Sequence, residues 1–160
     1  MRRLADRLGI RAPSIYKHLR DKRALEDALI SAGFAEQATA FERALEGDDP
    51  LGGMARAYRR FARRNPHLYR LMTDRPLRRD RLVPGVEERA VAPVVTVVGG
   101  DRDAARAVWA FAHGMVILEL NGRFPPRAHL DAAWERGLAA FRPAPASRTR
   151  TSGRGDSTRT

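Results

Sequence analysis

The stretch that decides the fold reads Leu4-Ala5-Asp6-Arg7-Leu8-Gly9-Ile10, then Arg11-Ala12-Pro13-Ser14-Ile15-Tyr16-Lys17-His18-Leu19, then Arg20-Asp21-Lys22-Arg23-Ala24-Leu25. Leu4, Ala5 and Leu8 stand at i, i+1 and i+4 and form one apolar stripe of a helix. Gly9 follows where a helix C-terminus favours a residue that tolerates positive φ. Ile10 plugs the turn. Pro13 suits the first turn of a second helix, where its missing N–H costs nothing. Ile15 and Leu19 give that helix a narrow inward face, which leaves Ser14, Tyr16, Lys17 and His18 to point elsewhere. Two short helices around a tight turn are the layout of a helix-turn-helix, whose second helix enters the DNA major groove.

Outward from this stretch, Asp21 is a good N-cap for a further helix that begins at Lys22. Leu25, Leu29, Ala32, Ala38, Phe41 and Leu45 recur on it at helical spacing. Gly33 lies inside and costs about 1 kcal/mol relative to Ala. Gly47-Asp48-Asp49-Pro50 breaks the pattern and is read as the domain boundary. Residues 1–45 then hold the head and a connector helix, residues 46–141 a helical regulatory and dimerisation body, and residues 142–160 a tail. The tail is Pro, Ser, Thr, Arg and Gly without apolar periodicity, so disorder is expected there.

Within the body, Leu51, Met54, Ala55, Tyr58, Phe61 and Ala62 line one side of a helix over residues 51–64. Arg56, Arg59, Arg60, Arg63 and Arg64 line the other, read as a solvated face, with DNA contact as the second reading. Asn65-Pro66 ends it. Leu68, Tyr69, Leu71 and Met72 make a short second helix, and residues 75–84 form an arginine-rich loop. Residues 86–98 are ambiguous, because their valines favour strand locally and Pro93 argues against an uninterrupted helix. All-helical surroundings decide for a kinked helix stopped by Gly99-Gly100. Asp101 caps a helix from 102 to about 120 that is apolar nearly all round and is expected to be buried. Leu130, Trp134, Leu138 and Phe141 stripe a last helix, as interface or as core. The fold class is all-α.

At 160 residues the chain can bury a real core. Its net charge of +11 favours polyanionic partners, nucleic acid before membrane. The first 25 residues concentrate this charge, with eight cations (Lys17 and Lys22 among them) against two acids. There is no cysteine, hence no disulfide framework and no thiolate metal site. The expected compartment is the cytoplasm. No apolar run approaches the roughly 18 residues of a membrane span. His18, His67, His113 and His129 are scattered without ligand spacing. No glycine-rich phosphate loop or nucleophile elbow is present. Neither catalysis, a metal nor a cofactor is expected.

The residues from Arg3 to Leu29 resemble the DNA-binding part of TetR-type transcriptional regulators. Leu4, Ala5, Leu8, Gly9, Ile10, Ile15, Tyr16, His18, Lys22, Ala24 and Leu25 carry the likeness. The resemblance assigns Ser14, Tyr16, His18 and Lys22 mainly to backbone phosphates and Arg11, Ala12, Pro13 and Lys17 to the groove face. Arg11 is suited to pair bidentately with a guanine. TetR-type heads have a helix before this stretch, which a chain starting at Met1 lacks. The alternative function is therefore a ligand-binding, dimerising module that has lost DNA binding. Tyr58-Arg59-Arg60-Phe61-Ala62, Asn65-Pro66, Leu71-Met72 and Trp109…His113-Gly114 resemble the C-terminal regulatory domain named for its Trp, His and Gly. That resemblance implies an effector pocket among the body helices and a homodimer paired through the last two helices, 102–120 and 130–141. Tyr58, Phe61, Met72, Trp109 and His113 are the candidate pocket residues, being bulky, adaptable or polar, though each also fits plain core packing. The expected function is a ligand-responsive repressor that binds a palindromic double-stranded DNA operator as a dimer.

Overall fold

The structure is a computed structural model and describes residues 22–142. Six α-helices and one short 3-10 turn account for the described residues. Helix α1, Lys22–Leu45, ends where expected, and the expected cap Asp21 lies outside the described residues. Asp49 starts α2, Pro50–Arg64: its carboxylate accepts the Gly52 N–H at 3.2 Å, and Pro50 occupies the first turn. The apolar side expected of this helix is buried throughout. Asn65 closes it, donating from its amide to the Phe61 carbonyl at 3.1 Å. Pro66 then opens α3, Pro66–Thr73.

The arginine-rich segment follows, with a 3-10 turn at Arg79–Arg81. Helix α4, Val86–Val97, keeps Pro93 inside it, so the helical reading of the valine-rich run holds. Glu87 and Glu88 in its first turn complement the helix dipole. Burial of Val86, Ala90 and Pro93 outweighs the local strand preference. Gly99 and Gly100 take left-handed φ of 77° and 87°, and the Gly100 N–H closes the helix on the Val95 carbonyl at 2.9 Å. Asp101 caps α5, Arg102–Leu120, through the N–H groups of Asp103 and Ala104. Helix α6, Leu130–Ala139, ends the described chain.

Helix α1 packs against α4 and α2, and α2 also packs against α5 and α6. The shared core runs from Phe41 through Tyr58, Phe61 and Tyr69 to Val116, Trp134 and Leu138. Trp134 and Leu138 are thus core, and Phe141 is half-buried with its ring 6.0 Å from Phe111.

Two expectations fail. Helix α5 is not covered all round: Ala105, Val108, Ala112 and Val116 are buried, whereas Trp109 is 55% and Leu118 40% exposed. Arg59 does not stand on a solvated face. Its Nε donates to Glu119 Oε2 at 2.9 Å and its Nη1 to Asp131 Oδ1 at 2.6 Å, tying α2 to α5 and α6. Trp134 Nε1 donates to the other Glu119 oxygen at 2.8 Å, and the guanidinium lies 5.8 Å from the Trp134 ring centroid.

The buried side of α1 is partly polar. Asp27 accepts from Arg78 Nη2 at 2.6 Å, and Ser31 Oγ accepts the Val83 N–H at 3.1 Å. Arg75 lies 3.5 Å from Glu26, and Arg89 donates twice to Glu42, at 2.7 and 2.6 Å. The arginine-rich segment therefore straps α1 rather than projecting from it. No described helix is long and apolar enough to cross a membrane.

Candidate functional site

Three helices bring a row of polar groups together inside the apolar core. Helix α2 supplies Tyr58, α3 supplies Tyr69, and α5 supplies His113 with Trp109 one turn before it. The Tyr58 and Tyr69 hydroxyls are 2.8 Å apart, and the Tyr69 hydroxyl is 2.7 Å from His113 Nδ1. Tyr69 has no exposed surface. The two phenol rings meet edge to face at 5.6 Å, and the Trp109 ring stacks on His113 at 5.7 Å. Trp109 and His113 are i and i+4, which puts them on one flank of α5.

Burial dominates the electrostatics. It pushes the Tyr58 hydroxyl up, against opposing hydrogen bonds from Tyr69 and Trp109. It pushes the Tyr69 hydroxyl far above the usual tyrosine range, and the neighbouring Tyr58 adds to this. Burial holds the His113 imidazole below its ordinary 6.5, with Asp74 opposing. Both phenols therefore stay protonated and the imidazole stays neutral at neutral pH. The row can donate and accept hydrogen bonds, but it holds no anionic base. It runs from the buried Tyr58 to half-buried His113 beside the exposed Trp109. Among the described residues no group of three His, Cys, Asp or Glu could hold a metal ion.

Of the five pocket candidates, Tyr58, Trp109 and His113 converge. Phe61 and Met72 instead meet α1 at Gly33, where a Cβ would stand 2.5 Å from Met72 Sδ and 3.5 Å from Phe61 Cζ. Tyr69, the centre of the row, is absent from the sequence reading of the site. Its signal was a hydroxyl-bearing ring in the run Leu68, Leu71 and Met72, since a buried phenol needs a partner.

Two surfaces complete the picture. Helix α5 leaves Ala107, Ala110 and Leu118 uncovered, with Gly114 between them and nothing within 4 Å of a Cβ added there. Lys22 opens α1 with its side chain 87% exposed and 3.9 Å from Glu26. Arg11, Ala12, Pro13, Ser14, Tyr16, Lys17 and His18 lie outside the described residues.

Residues 51–141, from the second residue of α2 to just past α6, match the family described as tetracyclin repressor-like, C-terminal domain. The chain belongs to this family. The TetR-type resemblance read from the sequence holds with it. The HTH-type transcriptional regulator Rv0681 of Mycobacterium tuberculosis, itself uncharacterized, is 34% identical over 130 residues, 74% of this chain and 60% of that protein. The tetracycline repressor protein class A from transposon 1721 of Escherichia coli is 55% identical over 38 residues, 24% of this chain and 18% of that one. The chain thus spans less than two thirds of the length of these relatives. The crystal structure of the protein SCO4313 shares the TetR-like all-α fold, with a TM-score of 0.62 at 23% identity over 87% of this chain and 82% of that one.

Proposed function

We propose that this TetR-like chain is a cytoplasmic DNA-binding transcriptional regulator, a homodimeric repressor that a small effector releases from its operator. The observation that carries the reading is the continuity of α1. It is helical from Lys22, the first described residue, which follows the helix-turn-helix pattern in the sequence, and it runs into the body, where Asp27, Ser31 and Glu42 are bonded to the segment before and into α4. A shift in the body is thereby a shift of the element that carries the head. The name of Rv0681 supports the same reading.

In this reading residues 1–45 are head and connector, 46–141 the sensing and dimerising body, and 142–160 a tail. Ser14, Tyr16, His18 and Lys22 grip phosphates, while Arg11, Ala12, Pro13 and Lys17 face the groove. The polar row of Tyr58, Tyr69 and His113, with Trp109, offers an effector its hydrogen bonds, and Phe61 and Met72 sit where the body meets the connector. The uncovered α5 face, with α6 beside it, pairs with its copy, so that two recognition helices read two half-sites. An effector acts only if it binds the released form better than the DNA-bound form.

Fluorescence anisotropy with duplexes from the DNA flanking its own gene tests this. The expected result is saturable binding that weakens steeply with salt. Lys22→Ala should weaken binding to every duplex and flatten the salt slope by about one, whereas Arg11→Ala should mainly relax specificity. No binding to any such duplex at moderate salt would leave only the dimerising, ligand-binding module.

A further inference from the structure

Three polar side chains are buried on α1. Two of them, Asp27 and Ser31, are bonded to the strapping segment. The third, Gln37, is only 7% exposed; its carboxamide has no hydrogen bond to a described residue and reaches the solvent, since no buried side-chain polar atom among the described residues lacks a partner. Gln37 lines an open cleft of about 380 Å³ between α1 and α2.

The rest of the cleft is of two kinds. Phe41, Ala57 and Phe61 are buried residues that give it an apolar floor, and Arg43, Arg60 and Arg64 give it a basic rim. Ala57, Arg60, Phe61 and Arg64 stand at i, i+3, i+4 and i+7, so one face of α2 supplies floor and rim together. Some arginines are engaged, among them Arg56, Arg59, Arg75, Arg79 and Arg89, each within 4.0 Å of a carboxylate; others outside the cleft, Arg63 on the same helix among them, are not. Arg43, Arg60 and Arg64 have no carboxylate at that distance among the described residues. Among the described residues, Glu36 is the one acid lining the cleft and Thr39 its remaining polar side chain. Three guanidinium groups against one carboxylate select an anion, and guanidinium geometry suits a carboxylate or phosphate head.

The duplex held by the head is a poor match for this rim. Arg43 lies 21 residues along α1 from Lys22, roughly 30 Å at the rise of an α-helix. The floor, moreover, asks for an apolar body that a phosphate backbone does not have.

We propose that the α1–α2 cleft binds a small organic acid, an anionic head carried on an apolar body, with Arg43, Arg60 and Arg64 holding the head and Gln37 bonded to a polar atom of the ligand. The site shares no residue with the row of Tyr58, Tyr69 and His113. Its walls are the connector and the first body helix, so an occupant bears on the angle between them.

Isothermal titration of the full chain tests the proposal with four probes: 2-naphthoate, decanoate, the neutral 2-naphthamide and inorganic phosphate. At least one of the two acids is expected to saturate, with the amide and phosphate about tenfold weaker or worse. Arg60→Gln/Arg64→Gln should weaken the acid about tenfold, and Gln37→Leu should weaken it several-fold. All three positions are outside the shared core, and Arg43→Gln provides a second rim variant if the double change alters the thermal melt. Three results would overturn the proposal: no saturation by either acid at about 5 mM, phosphate binding as tightly as the acids, or unchanged acid affinity in the rim variants. No DNA enters the measurement, so its failure leaves the regulator reading standing, and a failure of DNA binding leaves this site standing.

Discussion

Removing the Tyr69 hydroxyl would take a hydrogen-bond partner from both the Tyr58 hydroxyl and His113 Nδ1, with Trp109 left as the one other partner of Tyr58 among the described residues. A buried group left without its partner costs about 1–3 kcal/mol. Tyr69→Phe should therefore lower the urea-unfolding free energy by about that amount at almost unchanged volume. His113 makes a second prediction, in pH. Its folded pKa lies below 6.5, so the unfolded chain takes up the proton first as pH falls. The stability it contributes is complete above about pH 6.5 and is lost as pH falls from there through the folded pKa. His113→Asn keeps an acceptor near the Nδ1 position but cannot titrate. The loss of stability between about pH 7.5 and pH 5 should be smaller in that variant than in the parent, as read from melting temperatures.

At the scale of elements, the docking of α6 on α5 depends on one small residue. A Cβ added at Gly137 would overlap the Phe111 ring. That ring is fixed edge to face on Trp134 at 5.6 Å and lies beside Phe141, so it has little freedom to yield. Gly137→Ala should cost about 1–3 kcal/mol in thermal unfolding, although alanine is the better helix former. The sequence reading located the helices themselves well, because their ends are written in local chemistry: Asp49-Pro50, Asn65-Pro66 and Gly99-Gly100-Asp101 each break one helix or start the next. It paired Trp109 with His113 for the same reason, one turn apart on one helix. It missed what depends on the fold. Arg59 finds Glu119 and Asp131 at sequence distances of 60 and 72, and Tyr69 finds His113 at a distance of 44. Nothing adjacent to either residue announces those partners. Helix α5 misled in the other direction, since an apolar circumference fits burial within one chain and burial against a second copy equally well.

At the scale of the molecule, the uncovered face of α5 sets an assembly prediction. Ala107, Ala110, Gly114 and Leu118 repeat at three or four residues and form one shallow, small-residue strip. A guanidinium placed there would have to be buried without a partner on pairing. Leu118→Arg should shift the protein from dimer to monomer in sedimentation equilibrium while leaving the helical circular dichroism signal in place. Its DNA affinity should fall with it, because a single head reads one half-site. A variant that remains dimeric would move the interface elsewhere.

The strap across α1 has a mechanical corollary. Its bonds at Glu26, Asp27, Ser31 and Glu42 are spread along most of the helix, and they come from residues 75, 78, 83 and 89. A rod held at so many points resists pivoting about one end. Whatever tilts α1 must either break these bonds or carry residues 75–89 and the front of α4 along as one broad slab. A slab turning about its far edge delivers to Lys22 the displacement of a long arm for a small rotation within the body.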